Sequence, residues 1–416
     1  MFRRSRPLRD PVEITLDGEA IPAERGESLA LALLAADKTI LARSPKLHRP
    51  RGPSCMRGGC DGCLCRVDGA PNVMACQHAV RGGEEVVSQN VVGSRKADLL
   101  RVTDWFFSKG IDHHHLMAGV PGLSEVMVSF ARKVAGLGRL PSEAQPALPA
   151  RRAEVDVVVV GGGAAGMGAA ARLAAAHRSV ILVDDGLELG GSLGGAKRKA
   201  APLLSAFPRK SVEVLLGSVA AGYFFGDVLI STDAGAVVAR PRAVVFATGA
   251  HDGVLAVPGN DMPGIFSARA FCRVLAAGIE PDGPVAIIGE GFWADEVERG
   301  LVGWEHFRAR AEDVVAVHGT AGVSKLELSE DGKTKKVPVS SIALALPGAP
   351  AFELCAQAGA EVRFDPARGY VVVVDERGRA AEGIWAAGEC TGRDFDPEAL
   401  WAEGEHVGGD VLGWLS

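Results

Sequence analysis

The chain has 416 residues, room for two or three domains, with 47% apolar residues, 23% charged residues and a formal net charge of −6. That balance is ordinary for a soluble globular protein and leaves no basic surplus to neutralise nucleic-acid phosphates. No apolar run is long enough to span a bilayer, and the alanine-rich stretch 169–176 is short and interrupted by Arg172.

The first nine residues carry four arginines without a following apolar core, so they read as a solvated tail rather than an export signal. A docking patch for an acidic partner is the sharper alternative. Residues 11–36 read as a β-hairpin and a helix. Val12, Ile14 and Leu16 alternate, Asp17-Gly18 turns the chain, Ile21 restarts the strand, and Ser28 caps an Ala/Leu-rich helix.

A glycine-rich loop follows, with Cys55, Cys60 and Cys63 spaced C-x4-C-x2-C and Cys76 further on. This is the plant-type spacing for a [2Fe–2S] cluster, in which four thiolates converge on two irons. Gly58, Gly59 and Gly62 let the backbone wrap closely and present N–H groups to sulfur. A zinc site usually shows two separated C-x2-C pairs and fits this spacing poorly. Cys65 lies on an alternating strand over 64–67 and reads as a packed apolar side chain. Hairpin, helix and cysteine loop together give the order of a ferredoxin-like β-grasp module over residues 1–92. With Cys272, Cys355 and Cys390 scattered and no export signal, a reducing cytoplasm is the expected compartment.

Residues 93–150 read as a helical connector, with helices around 99–107 and 123–134 and a Pro/Ala-rich stretch over 141–150. The triplet His113-His114-His115 reads as a loop or partner contact, since three adjacent imidazoles do not face one ion on regular structure.

A second unit begins with an all-β-branched strand over 157–160, followed by Gly161-Gly-Gly163-Ala164-Ala165-Gly166, a small-residue helix, and a strand over 180–183 that ends in Asp184 and Asp185. That is a complete βαβ dinucleotide fingerprint. Gly161 turns the chain, Gly163 opens the backbone to a pyrophosphate, Gly166 brings helix and strand close, and the helix N-terminus favours the anion. Asp184 stands where a carboxylate would accept from ribose hydroxyls, with Asp185 as its substitute. Three more segments point to a flavin version of the fold: Gly190-Gly191-Ser192, Ala247-Thr248-Gly249 after a buried strand, and Gly388-Glu389 after another. FAD is therefore favoured, with NAD left open at the same site. Between the last two segments, a strand over 285–288 meets Gly289-Glu-Gly291-Phe292-Trp293. This second nucleotide turn is obstructed by its aromatics, and its next strand, read over 314–317, ends in His318 without an acid. The expected division is an FAD-binding domain over 151–264 and 346–416, with a reduced second nucleotide fold inserted over 265–345. The fold class is thus α/β: a ferredoxin-like module followed by a glutathione-reductase-like flavoprotein with two dinucleotide-binding domains.

The stretch Arg43-Ser-Pro-Lys-Leu-His48-Arg-Pro-Arg-Gly52 resembles the basic motif before the cluster region in alpha subunits of heterotetrameric sarcosine oxidases. Ser88-Gln-Asn90, Ala135-Gly-Leu-Gly-Arg139 and Pro258-Gly-Asn-Asp261 are similar to the same family. The resemblance covers nearly the whole chain and extends to hydrogen cyanide synthase, opine oxidase and hydroxyproline dehydrogenase. It implies an electron-transfer subunit of a hetero-oligomeric amine or amino-acid oxidoreductase acting on CH–NH or CH–NH2 donors. A separate beta-type flavoprotein would oxidise the amine, and a quinone, carrier protein or oxygen would accept the electrons. Two departures stand out: the folate-handling domain of sarcosine oxidase alpha subunits is not within these 416 residues, and Glu389 replaces the usual aspartate. His251 and His406 lie near flavin segments but read as packed or solvated. No general base or nucleophile emerges, so no catalytic residue is assigned. The competing readings are a stand-alone NAD(P)H-dependent reductase and a non-catalytic nucleotide-bound scaffold.

Overall fold

The computed structural model describes residues 2–45, 47–95, 97–102, 125, 126, 129 and 147–416. The first strand, β1 (Phe2–Arg4), pairs antiparallel with Ile279–Pro281 of the second nucleotide fold. The arginine-rich start is therefore not a solvated tail. Phe2 is buried edge-on against Phe266 and Phe271, Arg4 pairs with Glu27, and Arg6 pairs with Glu24. The tail reading failed because it counted charges without their partners, which lie up to 23 residues away.

Strands β2 (Pro11–Leu16) and β3 (Glu19–Glu24) form the expected hairpin, with Asp17 and Gly18 both at positive φ as the tight turn requires. Helix α1 (Leu29–Ala35) buries Leu29, Leu33 and Leu34. Ser28 stands at its N-cap, but its hydroxyl donates to the Ala75 carbonyl instead of capping, which ties the helix to the Cys76 turn. Strands β4 (Leu64–Val67), β5 (Ala70–Met74) and β6 (Glu85–Ser88) complete a sheet ordered β3-β2-β6-β4-β5, with β2 and β6 parallel. Of the connector, Leu99–Arg101 forms a single 3₁₀ turn. The histidine triplet and most of the two expected helices fall outside the described residues.

The first nucleotide fold is built on β7 (Ala150–Val160), which runs parallel to both Val180–Val183 and the long strand Gly235–Phe246. Ile384–Ala386 adds to the other side of the latter, also in parallel. Val157 to Val160 are buried, as parallel strands covered on both faces must be. Helix α2 (Ala164–Ala175) packs on one face, and the C-terminal helix Pro397–Leu415 lies against it. The smallness of α2 has a steric cause. A Cβ on Gly404 would lie 1.9 Å from the Ala165 carbonyl oxygen, and one on Gly168 would lie 2.3 Å from that of Trp401. The two helices touch backbone to backbone.

The second nucleotide fold orders its parallel strands Ile265–Ser267, Ser341–Ala345, Val285–Gly289 and His306–Ala309. The strand beside Val285–Gly289 is therefore His306–Ala309. Val314–Gly319, read from sequence as that partner, belongs to a separate antiparallel meander with Val323–Glu330 and Lys333–Pro338. The run Val314–Val317 is the more apolar of the two, and apolar content alone does not distinguish neighbours in a sheet. One hydrophobic core runs continuously from the cluster module (Ile14, Leu33, Val86) into this fold (Phe266, Val285, Ala294), so the two are packed bodies rather than tethered ones.

Gly166 is the tightest point of the helix–strand contact: an added Cβ would sit 1.8 Å from the Gly161 carbonyl oxygen. Gly166→Ala is expected to destabilise the protein by ~1–3 kcal/mol through overpacking and to lower its nucleotide content. Thermal unfolding together with chromatographic quantification of released nucleotide checks both.

Candidate functional site: a cysteine loop on the wall of a nucleotide cavity

The four motif cysteines converge. Cys55 contacts both Cys60 and Cys76, and Cys76 also contacts Cys63. All eight cysteines of the chain are free thiols. Backbone N–H groups of Arg57 and Gly59 reach the Cys55 sulfur, that of Gly62 reaches Cys60, and the Gly58 N–H donates to Cys76 Sγ at 3.2 Å. Such N–H···S contacts hold thiolates and tune the potential of a cluster. Protons are shared unequally in this tight quartet: contact with Cys60 and Cys76 pulls the Cys55 thiol well below its ordinary range, while contact with Cys55 and Cys63 pushes Cys76 well above it. Among the described residues no group of three or more donors is arranged around a single metal ion. A chain of pairwise sulfur contacts suits two irons, each taking two thiolates, and the residues fit a binuclear cluster. Cys65 takes no part. It is fully buried, its thiol donates to the Val73 carbonyl, and burial pushes its pKa up to about 12.

The cysteine loop lines a cavity of about 390 Å³ through Arg57, Gly58 and Gly59. Every candidate cofactor residue from the sequence faces this cavity except Gly166, which serves the packing beneath it. The turn is enforced at Gly161, whose φ is 106° and whose added Cβ would lie 2.2 Å from the Ala247 carbonyl oxygen. Gly163 caps α2 and has open space where a Cβ would project, so its backbone and the helix N-terminus are bare to an anion. This cradle fits the pyrophosphate of a dinucleotide.

The two aspartates separate by geometry. Asp184 Oδ2 accepts from the Gly162 N–H at 2.6 Å and Oδ1 from the Gly186 N–H at 2.8 Å, so both oxygens are committed to shaping the loop. Burial raises its pKa in spite of those bonds. Asp185 is exposed on the cavity, with the Gln77 side chain as the hydrogen-bond partner of its carboxylate, and is the better placed of the two acids to meet a ribose. Its pKa is raised by the crowding around it and by Asp184.

At the other end, Glu389 is engaged by Arg269 in a bidentate pair, at 2.5 Å to Oε1 and 3.2 Å to Oε2. The Arg269 guanidinium also lies 5.6 Å from the Trp293 ring centre and 5.8 Å from that of Phe395. Thr248 Oγ1 donates to the Ala351 carbonyl. His251 lines the rim, 3.6 Å from Glu353. Three arginines at this site, Arg57, Arg269 and Arg273, escaped the sequence reading. Arg57 was in view inside the cysteine motif, but the other two come from the helix Ala268–Ala276, which no motif marks.

Two family models match separate parts of the chain. The family described as a 2Fe-2S iron-sulfur cluster binding domain matches residues 9–91, and the pyridine nucleotide-disulphide oxidoreductase family matches residues 155–298. The sarcosine oxidase alpha subunit of Rhizobium meliloti is 29% identical over 391 residues, covering 80% of this chain and 39% of that protein. The hydrogen cyanide synthase subunit HcnA of Pseudomonas aeruginosa is 35% identical over 86 residues, 20% of this chain and 82% of that subunit. The chain is homologous to sarcosine oxidase alpha subunits over most of its length, and its N-terminal module belongs with the HcnA subunit. It spans about two fifths of the Rhizobium protein's length. The L-proline dehydrogenase structure from P. horikoshii shares the fold at a TM-score of 0.75 and 22% identity, over 99% of this chain and 75% of that one. The matches bring two cofactors with them: a [2Fe–2S] cluster in the N-terminal module and FAD in the flavoprotein fold. Among the described residues no helix is long and apolar enough to cross a membrane.

The family motifs have physical work in the fold. Arg43 is fully buried, donating to the carbonyls of His48 and Arg95, while His48 Nδ1 lies 3.1 Å from Asp98. Arg51 reaches across to Asp261 of the Pro258–Asp261 segment at 2.5 Å. These contacts fasten the cysteine module to its neighbours.

Two expectations follow. Replacing any one of Cys55, Cys60, Cys63 or Cys76 by Ser should abolish the cluster's visible absorbance and iron content, whereas Cys65→Ala should keep both. Asp185→Ala should weaken nucleotide binding about tenfold with unchanged melting temperature, while Asp184→Ala, which strands two backbone donors, should lower stability by ~1–3 kcal/mol. Equilibrium dialysis and calorimetry distinguish the pair.

Proposed function

We propose that this chain is the electron-transfer, alpha-type subunit of a hetero-oligomeric amine or amino-acid dehydrogenase or oxidase acting on CH–NH or CH–NH2 donors. A partner beta-type flavoprotein would oxidise the amine and hand on its electrons, and a quinone, carrier protein or oxygen would receive them. The observation that carries this reading is the shared wall: residues between cluster ligands Cys55 and Cys60 line the nucleotide cavity. A flavin takes up an electron pair and a [2Fe–2S] cluster passes electrons singly, so placing the two sites side by side suits a converter between the two modes.

The residues of this chain would act as follows. Cys55, Cys60, Cys63 and Cys76 hold the irons, with N–H groups from Arg57 to Gly62 on their sulfurs. Gly161, Gly163, Ala164 and Ala165 cradle the pyrophosphate, and Asp185 takes the ribose. Gly191, Ser192, Ala247, Thr248, Gly249, Gly388 and Glu389 form the remainder of the bed, and Gly166 keeps helix and strand close beneath it. Residues 1–92 would form the cluster domain, 93–150 the connector, and 265–345 an insert in the FAD domain. No side chain is offered as acid, base or nucleophile, which suits a subunit that relays electrons. Against a stand-alone NAD(P)H reductase stand the bulky Phe292 and Trp293 at the start of the second fold's helix, packed against Phe395 with ring centres at 5.1 and 4.6 Å. Seven of the eight cysteines are buried and none is paired in a disulfide, which suits a reducing compartment such as the cytoplasm.

The decisive measurement is amine-dependent reduction of the cluster in the co-purified complex, followed by low-temperature EPR under anaerobic conditions. A reduced-cluster signal is expected with the partner's amine present and absent from this chain alone. A signal driven by NADH or NADPH in the isolated chain would overturn the assignment.

A further inference from the structure

Two guanidinium groups line the nucleotide cavity, Arg57 and Arg273, and a third, Arg269, lies behind Glu389; the three differ in how their charge is met. Arg269 is balanced by the bidentate Glu389. Arg273 is largely enclosed, and among the described residues its hydrogen bond is to a neutral acceptor, the Gly191 carbonyl at 2.7 Å. Arg57 likewise donates to neutral oxygens, the Ala250 carbonyl and Ser192 Oγ (3.4 Å), with Asp252 at 3.6 Å from its Nε. Asp252 is itself shared with Arg269, at 3.6 Å. Arg273, enclosed with a carbonyl as its hydrogen-bond partner, and Arg57, whose counter-ion Asp252 is shared with Arg269, together leave positive charge on the cavity wall that an anion would neutralise. Both flank the Gly191–Ser192 turn, across from the N-terminus of α2.

The origin of these residues gives the arrangement its meaning. Arg273 comes from the helix Ala268–Ala276, while Arg57 sits between Cys55 and Cys60 and offers its own N–H to the Cys55 sulfur. A second strut joins the same two sites: Gln77, next to the ligand Cys76, donates to the Asp185 carbonyl at 3.4 Å and packs over Gly58.

We propose that Arg57 is a positioning residue that couples the two cofactor sites: with Arg273 it meets the phosphates of the bound nucleotide, so that nucleotide occupancy sets the order and potential of the cluster through the Cys55–Cys60 loop. The proposal rests on the two cofactors occupying their sites and is independent of which amine the complex oxidises. A phosphate ester anion draws the guanidinium toward the cavity and fixes the backbone that donates to Cys55. Without it, Arg57 is held by the Ala250 carbonyl, Ser192 and an Asp252 carboxylate that it shares with Arg269.

The test uses the cluster-loaded full chain, prepared with FAD bound and after FAD removal. In the wild type, removal of FAD is expected to shift the cluster's midpoint potential and EPR line shape and to speed iron release to a chelator several-fold, with FAD or ADP restoring the original values. Arg57→Met should bind FAD about tenfold or more weakly, the loss expected for a charge-assisted contact, and its cluster potential should ignore nucleotide. Arg57→Lys should recover part of both. An unchanged potential and iron-release rate in wild-type protein with and without nucleotide would overturn the coupling even if Arg57→Met failed to fold, as would Arg57→Met protein that binds FAD like the wild type. If these results hold but the amine fails to reduce the cluster in the complex, the relay assignment falls and the coupling stands.

Discussion

The structure depends on one apposition: the loop that gathers four thiols is pressed against the glycine turn of a nucleotide fold across a single cavity. Neither loop would hold this position alone. The cysteine loop is rich in glycine and has little core of its own, so its place is set by the hydrophobic continuity between the cluster module and the second nucleotide fold, in which Leu33 and Phe271 belong to one buried cluster. Arginines supply the polar part of the same fixation, with Arg51 on Asp261 and Arg57 on Ala250. The separation of the cysteine loop from the glycine turn is thereby a property of the packing.

Much of this was legible in the sequence, for identifiable reasons. Thiolate spacing is dictated by a rigid inorganic core, and the glycine turn by backbone sterics, so both leave local signatures that survive without homologues. Gly161 illustrates this: no other residue fits a φ of 106° against the Ala247 carbonyl. What was not legible depended on partners distant in the chain. The arginines before Arg9 look solvated until Glu24 and Glu27 are placed beside them. The neighbour of Val285–Gly289 is chosen by topology, and the amphipathic His306–Ala309 gives a weaker signal than the apolar run that follows it. Asp184 and Asp185 are adjacent in sequence, and only the direction of two backbone N–H groups decides which is structural.

Glu389 shows how a family motif can keep its position and change its surroundings. In the sequence it is a longer acid at a flavin turn. In the structure its extra methylene brings both oxygens onto Arg269, and that guanidinium in turn lies against Trp293 and Phe395. The second nucleotide fold thus contributes to the first fold's site, through Arg273 on the cavity wall and Arg269 behind Glu389. Its retention has a structural reason that does not require a second ligand.

The β1 strand has a consequence for biosynthesis. Ser5 and Gly278 are bonded although 273 residues separate them. Closing so large a ring is entropically slow, and a ribosome must release most of the polypeptide before the amino-terminal edge finds its seat. The amino-terminal edge of the cysteine module is therefore seated late, and a nascent chain halted before residue 279 would lack that strand pairing.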